Sequence, residues 1–394
     1  MQTKNWKVVL AILTTIVVMM ASGYTMLIPF LPVYLMRELG VPQAEGKLWT
    51  GGVFSITFLI GGIMAPIWGK LADKHGQKLL AMRSSIGLAI AYILAGIAQS
   101  PMQLFMARLV QGFAAGLWGM CMSICSSSVP PEKLGLSLGI LQAGLITGNI
   151  IGPLIGGVLA EWVGMRASFY VAGGLLVLIT LVFFLFIPEP NKKAKDEPTP
   201  KASATPKEPL LQRRTVREVM VFAACVQLMV LLIQPVLALY MEELNKSSEN
   251  IMLLSGIVFS SVGIASALAS PWWGKLGQAK GFYKTLMWSA GLGACGIFLT
   301  SIPKTVLTFG IANFVYGLCF AGVNPSLSSI LAQVTERSEK ATAFGYFFSA
   351  GQFGAMLGPV LGGLISTYFP ITYLFYLGAA IMASVSLYVY TNHR

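Results

Sequence analysis

Charge is scarce in this chain. Of its 394 residues 11% are Asp, Glu, Lys or Arg, against roughly a quarter in a soluble globular domain. So few ions cannot clothe a water-exposed surface, and a soluble fold is excluded. Histidine is scarcer still: His75 and His393 are the two copies, far apart in sequence. An enzyme site gathers carboxylates, histidines or a nucleophile with its base, so enzymatic chemistry is not expected. The five cysteines, Cys121, Cys125, Cys225, Cys295 and Cys319, all fall in apolar runs. Cys121 and Cys125 have the i, i+4 spacing of half a metal site, but two distant histidines are poor partners, and packing explains the thiols. No metal or cofactor is expected. Also missing is any soluble stretch above 29 residues, which argues against an appended signalling domain. The net charge of +12 lacks the basic stripe of a nucleic-acid surface, so no nucleic-acid partner is expected.

Long uncharged runs are what the chain does have. Hydrophobic residues make up 55% of it, and a helix needs about 20 apolar residues to cross a bilayer. Twelve runs qualify, near 8–31, 49–68, 79–99, 103–127, 135–160, 167–187, 218–241, 252–273, 284–302, 304–330, 341–367 and 371–390. They are continuously apolar rather than alternating, which selects helices over a barrel. The first run follows Lys4 and Lys7 like a signal sequence, yet it is too long and lacks a small-residue cleavage site, so it is expected to stay as a span. When the loops are assigned alternately, 21 of the 27 Lys and Arg residues fall on the inside, 5 on the outside, and Arg108 lies within a span. The positive-inside rule then puts both termini in the cytoplasm.

Residues 189–217 break the pattern with Pro, Lys and small polar residues, a composition that cannot bury a core. They divide the chain into six-span halves, 1–188 and 218–394. The halves repeat. At an offset of 205, Gly51, Phe54, Ser55, Pro66, Trp68, Gly69, Lys70 and Gly76 match Gly256, Phe259, Ser260, Pro271, Trp273, Gly274, Lys275 and Gly281. At an offset of 206, Gly139, Gly148, Gly152, Pro153, Gly156 and Gly157 match Gly345, Gly354, Gly358, Pro359, Gly362 and Gly363. An all-α integral membrane fold of twelve helices in two pseudo-symmetric six-helix bundles is predicted. Parallel repeats of this kind place a substrate site between the halves.

Three motifs stand out. Gly69 to Arg83, GKLADKHGQKLLAMR, packs Gly69, Gly76, Asp73, Lys78 and Arg83 into the turn after span 2; its glycines permit positive φ and close approach. Span 4 carries Arg108, Gln111, Ala115, Trp118 and Met122 at intervals of three and four, one helical stripe. An arginine inside a span usually faces a cavity or a partner. Spans 5 and 11 carry GNIIGPLIGG and GAMLGPVLGG, with small residues for close helix contact and Pro153 and Pro359 for kinks.

These motifs resemble those of the major facilitator superfamily. With SGYTMLIPFLPVYL from Ser22 and WTGGVFSITFL from Trp49, they are most similar to its bacterial twelve-span drug:proton antiporter group. The resemblance covers essentially the whole chain. It implies that Asp73 helps latch the halves on the cytoplasmic side by facing a helix N-terminus of the other half. Gln278 stands at the matching place in the second copy, so the latch is expected to be asymmetric. It also implies that Arg108 lines the cavity near the coupling machinery, and that the fifth-span motif marks an exporter. Gly69, Asp73, Gly76, Lys78, Arg83, Gly148, Gly152, Pro153, Gly156, Gly358 and Pro359 are the expected gating set.

By the same analogy spans 1, 4, 7 and 10 surround the cavity. Their polar and aromatic residues, Tyr24, Arg108, Gln111, Trp118, Gln227, Gln234, Asn313, Tyr316 and Asn324, are the expected substrate contacts, with Gln142, Asn149, Phe347 and Gln352 from neighbouring spans. Broad aromatic and methionine surface suits varied amphipathic ligands. The expectation is a monomeric exporter of small amphipathic molecules in a bacterial inner membrane, exchanging them for protons; export of one endogenous metabolite such as a siderophore is the alternative, and a transporter-like membrane sensor the distant one. Coupling lacks an obvious carrier, because the acidic residues avoid mid-membrane and Glu38, Glu161, Glu218, Glu242 and Glu243 come nearest. A boundary carboxylate, a substrate carrying its own charge, and uncoupled movement all stay open at this point.

Overall fold

The computed structural model describes residues 6–130, 133–187, 209–244, 251–335 and 340–393, without the side chains of 43, 44, 66, 73, 134–136, 251 and 340–342. Most of the 189–217 segment therefore lies outside the described residues, as does the side chain of Asp73.

Every regular element among the described residues is helical. Span 1 runs through Trp6–Thr25, a 3-10 turn at Ile28–Phe30 and Leu31–Arg37. Spans 2 and 3 are Gln43–His75 and Gln77–Ile97, span 4 is Pro101–Ala114 followed by Leu117–Ser128, and spans 5 and 6 are Leu134–Trp162 and Met165–Phe186. In the second half, span 7 runs through Arg214–Ile233, a 3-10 turn at Gln234–Val236 and Leu237–Leu244. Span 8 is Ile251–Lys280, span 9 Phe282–Thr300, span 10 Val306–Phe320 then Val323–Val334, and spans 11 and 12 Lys340–Tyr368 and Thr372–Asn392.

Eleven of these spans are long and apolar enough to cross a bilayer. Span 9 falls short on hydropathy because Tyr283, Lys284, Trp288 and three glycines dilute it. It still lies against span 12, where Ser386 Oγ donates to the carbonyl of Met287 at 2.8 Å. Apolar side chains such as Leu268, Leu307, Phe184 and Leu185 are largely exposed on the helix surfaces, as lipid contact requires.

Two of the shortest connections depend on glycine. Gly76 joins spans 2 and 3 at φ +105°, and its repeat partner Gly281 joins spans 8 and 9 at φ +91°, a region other residues avoid. Gly69 does not share that role. It lies inside the Gln43–His75 helix, and a Cβ there would meet open space.

The sequence repeat is a repeat of contacts. Trp68 Nε1 donates to the carbonyl of Phe113 at 2.8 Å, and Trp273 Nε1 to that of Leu318 at 2.9 Å. Gly112 abuts the backbone of Thr57 as Gly317 abuts that of Val262, each leaving 2.7 Å for an added Cβ. Each half thus pins its second span to its fourth in the same way.

Candidate functional site

Four spans are interrupted, and they are the four expected to enclose the path. Spans 1 and 7 pass through 3-10 turns at matched prolines, Pro29 and Pro235; proline removes a helix donor and crowds the preceding turn. Span 4 breaks at Ala115 and Gly116, the latter at φ +125°, and span 10 at Ala321 and Gly322. Interruptions in corresponding positions of two repeats point to a binding region. Sequence hydropathy missed them, because short breaks leave an apolar run unbroken; Pro29, Pro235 and Gly116 were the signals available.

The break in span 4 divides the expected stripe. Arg108 and Gln111 lie on one helix and Trp118 and Met122 on the next. Arg108 is 5% exposed and Gln111 4%. Arg108 Nη1 donates to Gln111 Oε1 at 2.7 Å, and Gln111 Nε2 to the hydroxyl of Tyr92 at 3.3 Å. The guanidinium lies 6.0 Å from the Phe54 ring centroid, and its Nε has no hydrogen-bond partner among the described residues. Among the described residues this buried cation is held by neutral groups, an arrangement that is costly to keep in a span. Tyr24, one residue before the end of the first helix of span 1, is near enough to feel the Arg108 charge and is half-buried, as is Trp118.

In the second half the expected residues are less alike. Asn313 is buried and turns its amide back onto the carbonyl of Phe309 at 3.0 Å. Tyr316 is half-buried, with its hydroxyl 3.8 Å from the sulfur of Met229 and its ring against Phe320. Gln227 packs beside Gly351 of span 11, Gln234 sits in the 3-10 turn of span 7, and Asn324 is exposed. Gln142 and Asn149 are exposed on the face of span 5 that carries Pro153, which meets the other half. Gln352 and Phe348 share the corresponding face of span 11 with Pro359, while Phe347 is turned further into the core. Phe348, one helical position from Phe347, is 52% exposed on that face.

The expected gating residues of spans 5 and 11 fall into two groups. Gly148, Gly152 and Gly156 pack inside their own half on span 1, where a Cβ at Gly148 would sit 2.5 Å from the carbonyl oxygen of Val18. Gly358 does the same on span 7, 2.8 Å from that of Leu228. Pro153 and Pro359 instead face the opposite half, as do Gly157 and Gly363, which the expected set did not include. A Cβ at Gly51 would meet the Pro359 carbonyl oxygen at 2.5 Å, and one at Gly363 that of Lys47 at 2.5 Å. Ser55 Oγ donates to the carbonyl of Met356 at 2.7 Å, matched by Ser260 Oγ to that of Ile150 at 2.6 Å. Lys47 Nζ donates to the Ser366 carbonyl at 2.7 Å, and Arg37 pairs with Glu242 across the halves. These cross-half contacts cluster on the side of the membrane away from the chain termini.

Lys78 and Arg83, expected in the turn, belong to the span 3 helix. Lys78 Nζ donates to the carbonyl of Phe184, near the end of span 6, at 3.0 Å. Arg83 Nη2 donates to that of Phe113, near the break of span 4, at 2.6 Å. Cations are favourable at helix C-termini. A further cluster escaped sequence reasoning because its members are 175 residues apart. Buried Glu218 accepts from Arg214 at 2.8 Å and from the Tyr388 hydroxyl at 2.9 Å, and faces His393 Nε2 at 2.8 Å. His393 stacks on Tyr283 at 4.1 Å. This cluster fastens spans 7, 9 and 12 to one another.

Comparisons with known proteins agree with this architecture. The chain matches the Major Facilitator Superfamily over residues 13–259 and again over 219–393. It is 30% identical to the multidrug resistance protein MdtG of Proteus mirabilis (strain HI4320), over 100% of this chain and 98% of that one. It is 31% identical to the multi-drug resistance efflux pump PmrA homolog of Lactococcus lactis subsp. lactis (strain IL1403), over 99% and 94%. Among solved structures, the nucleoside transporter NupG superimposes with a TM-score of 0.78 at 15% identity, covering 97% of this chain and 98% of that one. An inward-facing, unoccupied bacterial homolog of the human lysosomal transporter Spinster gives 0.72 at 15% identity, covering 98% and 95%. With a family match in each half, full-length relatives and the shared fold, the chain belongs to the major facilitator superfamily and is a multi-span membrane transporter.

Proposed function

We propose that the chain exports small amphipathic molecules by alternating access, with spans 1, 4, 7 and 10 enclosing the path. The observation that carries this reading is a glycine, proline and serine seam, repeated in both halves, that joins them on one side of the membrane and leaves interrupted spans behind it. The multidrug names of two full-length relatives support the substrate class. Residues 1–188 and 218–394 act as the moving bundles and 189–217 as their linker, whose last residues, from Arg214 on, already open the span 7 helix. With the termini in the cytoplasm, as the cation split requires, the seam is periplasmic and this conformation is open inward, ready to load from the cytoplasm of a bacterial inner membrane. The chain works as a monomer, since each half supplies the other's partner surface.

Exchange for protons fits a boundary carboxylate better than a central one. Glu38 pairs with Arg166, Glu218 with Arg214 and His393, and Glu242 with Arg37. Of these pairs the last spans both halves, so a proton that neutralises Glu242 from outside releases part of the seal. Dye and drug uptake into inside-out vesicles tests the reading. Accumulation of amphipathic dyes, enhanced by an inward-acid gradient and absent for a polar metal-chelating metabolite, is expected. Uptake of the metabolite alone would favour a dedicated metabolite exporter.

A further inference from the structure

We infer that Arg83 is a positioning residue for the buried pair Arg108–Gln111: it caps the interrupted end of their half-helix and ties that pair to the turn between spans 2 and 3. The inference rests on reading span 4 as part of the transport path.

The half-helix Pro101–Ala114 stops because Gly116 takes φ +125°, which turns the chain out of the helix. Carbonyls at its end lose their helical partners in a place where water is scarce. Phe113 has two protein donors in their place, Trp68 Nε1 at 2.8 Å and Arg83 Nη2 at 2.6 Å. A carbonyl has two lone pairs, so this one is fully used. The guanidinium carbon lies 3.5 Å from the Trp68 ring centroid, a stacked arrangement that lysine cannot reproduce. A permanent cation thus sits at the negative end of the half-helix dipole.

The second half supplies an internal control. Trp273 repeats the tryptophan bond, to Leu318. At the place of Arg83 stands Trp288, 56% exposed, and the break residue Gly322 keeps a right-handed φ of −81°. The cation is therefore found at the sharper break. Arg108 precedes Phe113 by five residues on one rigid helix, and Thr57 Oγ1 donates to the Arg108 carbonyl at 3.2 Å. Span 2 thus holds the half-helix at two heights, directly through Thr57 and through Trp68, while Arg83 brings in span 3. Movement of the cytoplasmic turn is passed to Arg108 and Gln111 through this clasp.

Hydrogen exchange on the full-length protein in lipid nanodiscs tests the cap without any substrate. Arg83→Gln should raise exchange of amides 112–118 by roughly tenfold, the scale of one lost charge-assisted bond at a helix end, and leave 182–187 unchanged. Lys78→Gln should do the reverse, because its carbonyl partner is Phe184. Arg83→Lys should fall between wild type and Arg83→Gln, and it carries the test if the glutamine variant does not fold. A second arm measures vesicle uptake of one amphipathic dye by Arg83→Gln, Arg108→Gln and the double variant. If Arg83 acts through Arg108, the double variant is no slower than the slower single one. Unchanged exchange at 112–118, or losses that simply multiply, overturns the inference. A wild type that moves no dye sinks the transport reading instead, and the exchange result then decides whether Arg83 caps the break.

Discussion

Adding one methyl group to the seam should move the conformational equilibrium without unfolding either half. In Gly51→Ala the new Cβ would lie 2.5 Å from the Pro359 carbonyl oxygen, roughly 1 Å inside van der Waals contact. Neither partner is a flexible side-chain tip, so spans 2 and 11 must separate. Overpacking of this kind costs about 1–3 kcal/mol. Here the cost falls on the sealed conformation alone, because the two residues belong to different halves. A differential of about 1–3 kcal/mol shifts a two-state ratio by roughly 5- to 150-fold. Ser366, 1% exposed and itself within the seam, where its carbonyl accepts from Lys47, reports the shift as a cysteine in a background cleared of the five natural ones. Its labelling by a membrane-impermeant maleimide should accelerate within that range in Gly51→Ala. Gly148→Ala meets the Val18 carbonyl oxygen at the same 2.5 Å, but within one half. It should lower thermal stability and leave the labelling rate alone. Labelling within twofold of the parent in Gly51→Ala would show that the seam is a fixed contact, and the alternating-access account of it would fail.

Other outcomes follow from the same contacts. Arg37 and Glu242 are partly exposed, 43% and 28%, so their bridge contributes at most about 1 kcal/mol; Glu242→Gln should open the seal by up to several-fold in the Ser366 assay and erase its salt dependence, and an unchanged salt dependence would remove the pair from the gate. Glu218→Gln leaves buried donors mismatched and should cost about 1–3 kcal/mol of stability, read as a lower unfolding temperature, whereas an unaltered melting curve would mean the cluster fastens nothing. Arg108→Lys keeps the charge but loses the planar fork; it should transport measurably more slowly than wild type with near-normal stability, and wild-type rates in Arg108→Ala would assign the residue to packing.

The helical fold and its duplication were legible because they rest on one-dimensional signals. A run of apolar residues and a match at a fixed offset survive in sequence, and Pro153 with Pro359 or Gly76 with Gly281 could be paired by eye. What hydropathy cannot carry is a break of two residues inside an apolar run, so the division of span 4 at Gly116 split a stripe that had read as continuous. Nor can it say which side of a small-residue helix faces which neighbour. Gly148 and Gly157 look alike in sequence, yet one packs on span 1 and the other on span 8. The amide of Asn313 donates to the carbonyl of Phe309 on its own helix, a local option open to short polar side chains that sequence position does not reveal. Glu218 and His393 meet only because the first and last helices of the second half pack together.

Transient counterflow in proteoliposomes containing the purified chain alone tests the central claim most directly. Vesicles preloaded with an unlabelled amphipathic substrate and diluted into a trace of labelled compound should accumulate label above equilibrium and then lose it, because one site is presented alternately to the two sides. A monotonic approach to equilibrium, or no entry beyond that of empty liposomes, would contradict alternating access by this chain.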